Sequence, residues 1–431
     1  MPRGSLFPMS ALVFLASVAA GQTSPILTGY VTAIGTPAEF SVDRSQVRCT
    51  ATTRLTLVHD GDRVPVSGCP LRSLGEAVTV YGKRDKTSGI ITAVLIESAA
   101  PADREIEGFA VIDRIVAAPD ASGSVTVSAD GYSIAIPAAI HPVFLPRLTE
   151  QTAVTTNLWL KYSGTQHLDG SVTAKTAAFS SNTLKDRERK ANQKVEFNPA
   201  SITEEDRQGN FSKAFKGIDP KRFPAVHDAD MQQRVEKIGA KLIPGYQRDL
   251  RPDDPSRIDF RFQVVDQPKL RDALTLSNGI ILVPQQVIKR LQNDSQVATV
   301  LADNIACALE KHTLRLISAR RAEAAGNVAA IAGGLFVPGL GFAGPIQAGT
   351  AETVMKRRDE EQSGRVSLVL LRQAGYDMAE APKTWWILGS SKEKPLDEIG
   401  LPYRAKYLYR MLGTTWRQSV SDSPAALPVA Q

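Results

Sequence analysis

Asp303 and Cys307 stand four residues apart in the run Leu301-Ala302-Asp303-Asn304-Ile305-Ala306-Cys307. On a helix that spacing puts both side chains on one face, and both residue types can ligate zinc. Asn304, beside the first of them, is an amide and cannot accept a proton at useful pH. A water polarised here would lack its adjacent base, and Glu360 or Glu361 are the carboxylates that could stand in. Histidine is scarce. The chain has 5, His59, His141, His167, His227 and His312, which limits metal and acid–base chemistry from the outset. Of the 3 cysteines, Cys49 and Cys69 lie close together and form a candidate disulfide, while Cys307 has no partner nearby in sequence.

The elements that hold these residues belong to a chain of 431 residues, enough for roughly two to four domains. Apolar residues make up 43% and charged residues 22%, which excludes wholesale disorder, a collagen-like repeat and a polytopic membrane protein. The net charge of +6, from 51 basic and 45 acidic residues, is a weak bias over this length and leaves no nucleic-acid footprint. Residues 1–21 read as a secretory signal peptide. Arg3 supplies a positive start, an apolar stretch runs from Leu6 to Ala20, and Ser17, Ala19 and Gly21 are small residues at cleavage-compatible spacing. No cysteine follows them, which argues against a lipoprotein anchor. The expectation is export, to the periplasm or the extracellular space, where a Cys49–Cys69 disulfide would persist.

From Ile26 to Ala99 short alternating strands are separated by turn residues, and the pattern returns about 80 residues later. Gly108-Phe109-Ala110-Val111-Ile112 answers Gly29 to Ala33, Leu158 to Tyr162 answers Val78 to Tyr81, and Gly170 to Ala174 answers Gly89 to Ala93. Two copies of one small OB-like barrel are expected, at 22–100 and 103–181. They resemble small exported bacterial β domains of unknown function, and without a basic–aromatic stripe they read as adaptors or spacers. Residues 182–222, with the charge run Lys185-Asp186-Arg187-Glu188-Arg189-Lys190, read as a linker, and 417–431 as a disordered tail.

In the C-terminal half Met231, Val235, Ile238 and Leu242 recur at helical spacing, and Ile258 to Val265 alternates as a strand. A second strand follows through Asn278-Gly279-Ile280-Ile281-Leu282-Val283, then a short helix from Gln285 to Leu291. A long helix is expected from about Asp294 to Arg320, and another from Glu361 to Gln373, stopped at Gly375. With Leu309-Glu310-Lys311-His312 and Arg372-Gln373-Ala374-Gly375-Tyr376-Asp377, this order of segments over about 225–415 resembles the HtpX and CAAX-prenyl-protease-like zinc metallopeptidases of the gluzincin type.

In that family a helix carries His-Glu-x-x-His, two imidazoles bind zinc, and the glutamate takes a proton from the metal-bound water. A glutamate on a later helix completes the ligands. The resemblance places Asp303 and Cys307 at the two histidine positions, Asn304 at the base and Gln362 at the third ligand. Ser363 and Gly364 follow where Ala-Asp stand in the family, an Asp that orients a ligating histidine. Leu401-Pro402 falls on the family's His-Pro signature, and His312 on a trailing structural histidine. The frame is kept and the chemistry positions are substituted.

The expected fold class is therefore multidomain: two all-β OB-like barrels, then an α+β, mostly helical, metallopeptidase-like domain at 223–416. The resemblance implies a non-catalytic protein of the cell envelope with no cofactor. It would bind a peptide or envelope protein by main-chain pairing along Asn278–Val283, read as an edge strand. The alternatives are an active zinc metalloendopeptidase with atypical ligands and a purely structural envelope protein. Ala324–Ala351, without charge and rich in Gly and Ala, is the segment for peripheral membrane contact. Pro338 and Pro345 argue against a continuous span there.

Overall fold

Period-two burial governs the N-terminal half. Glu39–Val42, Ser45–Arg48 and Ala77–Arg84 each turn alternate apolar residues inward and polar ones out. The computed structural model describes residues 24–59, 62–66, 72–99, 102–145, 148, 153–184, 186–193, 223, 225–315, 348–389 and 400–417. Residues 1–21, Cys69, most of 182–222, Ala324–Ala351 up to residue 347 and the tail beyond Arg417 lie outside them.

The first barrel is built from β1 (Leu27–Thr36), β2 (Glu39–Val42), β3 (Ser45–Arg48), β6 (Ala77–Arg84) and β7 (Ile91–Ala99), with β4 (Arg54–His59) and β5 (Asp62–Val66) continuing the sheet past β7. The second uses β8 (Arg104–Ala117), β9 (Val125–Ala129), β10 (Tyr132–Ile136), β12 (Leu158–Gln166) and β13 (Val172–Ser181), with β11 (Val143–Phe144) beside β13. In both, the first strand pairs with the second and fourth, and the third closes on the fifth in parallel. That is the five-stranded barrel topology expected from the repeat.

The repeat extends to backbone irregularities. The register slips between Tyr81 and Gly82 in one barrel and between Ser163 and Gly164 in the other. A Cβ on Gly82 would stand 2.1 Å from the Thr92 carbonyl oxygen, and one on Gly164 2.3 Å from that of Thr173, so each bulge requires glycine. Asp43 and Asp130 occupy equivalent hairpin turns with φ of 48° and 55°. Their side chains then diverge. Asp43 accepts from the Tyr30 amide at 3.0 Å within its own barrel. Asp130 pairs with Arg365 at 2.5 Å, across the boundary with the helical domain.

A short helix, α1 (Asp186–Gln193), carries part of the charged linker. The helical domain begins with α2 (Ala229–Leu242), whose first turn is capped by Asp228 accepting from the Met231 amide at 2.9 Å. After α3 (Gly245–Arg248), a three-stranded sheet forms from β14 (Arg261–Val265), β15 (Leu274–Thr275) and β16 (Ile280–Pro284). Then come α4 (Gln285–Arg290), α5 (Asp294–Leu309), α6 (Ala348–Gln373), α7 (Glu380–Gly389) and α8 (Tyr403–Gly413). Gly375, at φ 69°, ends α6 as its sequence position suggests.

Three expectations are corrected. The strand through Asn278, Gly279, Ile280, Ile281, Leu282 and Val283 is not an edge. Its strand part, β16, lies between β14 and β15, paired with both and buried throughout, while Asn278 and Gly279 form the preceding turn. Its backbone groups are consumed within the sheet. The helix expected to reach Arg320 breaks after Leu309, where Lys311 adopts φ 51°, and is helical again over 312–315; 316–320 lie outside the described residues. Finally, the second barrel is not a separate unit. The first encloses its own core around Val31, Phe40, Val80, Ile91 and Ile96. Ile112, Ile134, Leu160 and Phe179 of the second are continuous with Val235, Ile305, Leu370 and Leu408 of the helical domain.

The duplicated turns supply an internal comparison. Asp43→Ala removes one partly buried hydrogen bond and should cost about 1 kcal/mol. Asp130→Ala leaves Arg365 buried without its counter-ion and should cost about 3–5 kcal/mol. Urea unfolding of both variants measures the difference, and equal losses would contradict the role given to the interdomain pair.

Candidate functional site

The α5 helix starts where Asn293 accepts from the Gln296 amide at 2.9 Å and then runs buried for most of its length, with α6 packed along it. The pair carries Asp303, Asn304, Cys307 and Gln362. Asp303 is 4% exposed. Its Oδ1 accepts from the Ser363 hydroxyl at 2.8 Å, and its Oδ2 pairs with Arg404 at 2.5 Å. Arg404, in the first turn of α8, also donates to Asp272 at 2.8 Å and lies 3.3 Å over the Trp385 ring. Asn304 donates to the Val300 carbonyl at 2.9 Å and accepts from the Thr275 hydroxyl of β15 at 2.7 Å. Its amide therefore works as a joint between helix and sheet.

Cys307 is a free thiol, one helical turn beyond Asp303. Burial, reinforced by the negative charge of Asp303, holds it well above the ordinary thiol range, so it stays protonated. Gln362 turns away from both. Its amide nitrogen donates to the Phe109 carbonyl of β8 at 2.8 Å, and its oxygen accepts from His312 at 2.9 Å and Arg315 at 3.1 Å. Burial lowers the His312 pKa despite the opposing pull of Asp359, which keeps the imidazole neutral with its Nε2 proton on Gln362. Of the four predicted positions, Asp303, Asn304 and Cys307 share α5, and the contacts of Gln362 go to the second barrel, His312 and Arg315.

These residues do not fit zinc. Both oxygens of Asp303 are committed to protein donors, and Asn304 and Gln362 are amides. Among the described residues no group of three or more His, Cys, Asp or Glu side chains is placed to hold a metal ion. Glu360 and Glu361 line a shallow surface groove with Trp385, Tyr403 and Tyr407, and Glu361 is engaged by the Tyr403 hydroxyl.

Two interface carboxylates were not legible in the sequence. β9 pairs with β8 only from Ile112 onward, so the preceding edge of β8 is left to the helical domain. Glu310, at the end of α5, accepts from the Val111 amide there, at 3.2 Å through one carboxylate oxygen. Burial, with the nearby charge of Asp130, pushes its pKa well up. Burial also raises Asp113 to about 6, against the pull of the Ser128 hydroxyl. Arg404 and Asp272 were missed as well. The available signal was Asp303 itself, an acid inside an apolar helix that must find a cation.

For Asp113 the folded pKa lies above the unfolded value of about 3.9, so the folded state binds the extra proton. Its contribution is full below pH ~4 and is lost as pH rises through ~6. Stability should fall by about 2–3 kcal/mol across that window, and Asp113→Asn should flatten the profile. Chemical unfolding at pH 4, 5, 6 and 7 measures it, and an unchanged slope in the variant would refute the assignment.

Comparison with known proteins gives the same region a lineage. Residues 229–419 match Peptidase family M48. A protein of Vibrio cholerae serotype O1 named "Putative beta-barrel assembly-enhancing protease" is 20% identical over 168 residues, covering 37% of this chain and 33% of that relative. The chain thus spans about a third of the length of the curated relative it matches. The helices α5 and α6 lie within the Peptidase family M48 domain that this match places in the C-terminal region of the chain.

Proposed function

We propose that this chain is a non-catalytic member of the metallopeptidase fold, exported to the cell envelope, that binds peptide or protein partners without cleaving them. The observation that carries the reading is Asn304. At the base position stands an amide with no basic lone pair, locked between the Val300 carbonyl and the Thr275 hydroxyl. A general base contributes ~10²–10⁴-fold to such hydrolysis, and none is supplied at this position.

Export is supported by the leader-like residues 1–21 and by Cys49, which is disulfide-bonded, a state that persists in oxidising compartments. The name of the Vibrio relative points toward the envelope as well. Binding does not use β16, whose backbone is paired on both sides. The surface that supports partner binding instead is the groove between α6, α7 and α8, where Glu360, Trp385 and Tyr403 combine carboxylate and aromatic faces. The segment 324–351, which carries no charge, is the place for peripheral membrane contact in this reading, and no helix among the described residues is long and apolar enough to cross a membrane.

The competing reading is an active zinc metalloendopeptidase using Asp303 and Cys307. Metal analysis and a casein-cleavage assay on the purified chain, with and without chelator, separate the two. Zinc should be well below stoichiometric, the melting temperature should not respond to chelator, and no chelator-sensitive cleavage should appear. Stoichiometric zinc with chelator-sensitive proteolysis would establish the alternative.

A further inference from the structure

Asp303 presents an elementary problem. An ionised carboxylate 4% exposed inside a helix pair is costly unless a cation stands against it. A metal centre solves that with metal–oxygen distances of about 2.0–2.2 Å and ligands drawn from several elements. Here Oδ2 of Asp303 gives its lone pair to a guanidinium nitrogen of Arg404 at 2.5 Å, while Oδ1 is taken by Ser363.

We propose that Arg404 is the resident cation of this centre: a side chain of the protein performs the charge-compensating and cross-linking task that a metal ion performs in a zinc site, and it closes the centre to metals. This deepens the non-catalytic reading and rests on it.

The geometry supports each half of the assignment. For cross-linking, one guanidinium joins Asp303 on α5, Asp272 ahead of β15 and Trp385 on α7 to its own helix α8, and Ser363 adds α6 through the shared carboxylate. For charge, the two carboxylates are unequal. The Asp303 side chain is 6% exposed and depends on Arg404, whereas that of Asp272 is 39% exposed and is screened by water.

Arginine suits the task in a way lysine does not. Its planar fork reaches two carboxylates at once, and its face stacks on the indole. Exclusion of metal follows from the same contacts, because the lone pair a metal would need is occupied and a fixed positive charge lies against it.

The test is a double-mutant cycle on the full chain, using Asp303→Asn, Arg404→Met and the two together. Unfolding in urea is followed by tryptophan fluorescence, for which Trp385 is a local reporter. Met keeps an apolar side chain on the indole and removes the charge. Arg404→Met alone should shift the midpoint strongly downward, and adding Asp303→Asn should recover much of the loss. The coupling should be at least about ten-fold in the unfolding constant. If Arg404→Met does not fold, recovery of soluble, folded protein in the double variant carries the same conclusion. A double variant no better than Arg404→Met, or simple additivity, would show that Arg404 acts through its stack alone and would overturn the proposal. In parallel, zinc should leave the wild-type midpoint unchanged. A zinc-dependent rise would overturn both this assignment and the non-catalytic reading, whereas additivity would overturn this assignment only.

Discussion

The buried pair between Asp130 and Arg365 is the constraint around which the described half-barrel, half-helical unit is organised. Arg365 leaves α6 to bind the side chain of Asp130 at 2.5 Å and its carbonyl at 2.9 Å, and it also donates to the Tyr407 hydroxyl at 2.7 Å. The Tyr162 hydroxyl fills the other oxygen of Asp130 at 2.9 Å. Neither charge can be left alone in that setting. The backbone must also come close: a Cβ on Gly131 would stand 2.6 Å from the Cβ of Arg365. One ion pair thus fixes a barrel turn, a site helix and the final helix against each other, and the edge contacts of Glu310 and Gln362 follow from that placement.

The stability of the α5–α6 pair resides in its apolar packing. Val297, Leu301, Ile305, Leu368 and Leu371 of α5 and α6 are nearly or wholly buried in one apolar core. Burial of that kind contributes roughly 1.5–3 kcal/mol per large side chain and does not depend on what sits at the chemistry positions. Asp303, Asn304 and Gln362 each find protein partners.

The barrels were legible because β repeats write themselves into sequence twice. The glycine at each bulge and the aspartate at each hairpin recur in register. The α5–α6 frame was legible from helical spacing and from Gly375. What could not be read were relations between segments far apart. Whether β16 is an edge depends on the two-residue strand Leu274–Thr275, too short to carry a periodic signal. At the break after α5 Lys311 takes a left-handed φ and donates to the Asn182 carbonyl, a partner 129 residues away. The commitment of Gln362 to Phe109 crosses 253 residues, and that of Asp303 to Arg404 joins helices separated by most of the domain.

Those separations also set a clock. Residues 104–111 of β8 have β12 on one side, and on the other depend on Glu310 and Gln362, which follow Val111 and Phe109 by 199 and 253 residues. At elongation rates of about 5–20 residues per second, the open side of that strand waits roughly 10–50 s for its partners to leave the ribosome. An unpaired strand edge held open for that long is a template for pairing with other chains. The newborn protein thus passes through a window in which that edge exists before its own partners do.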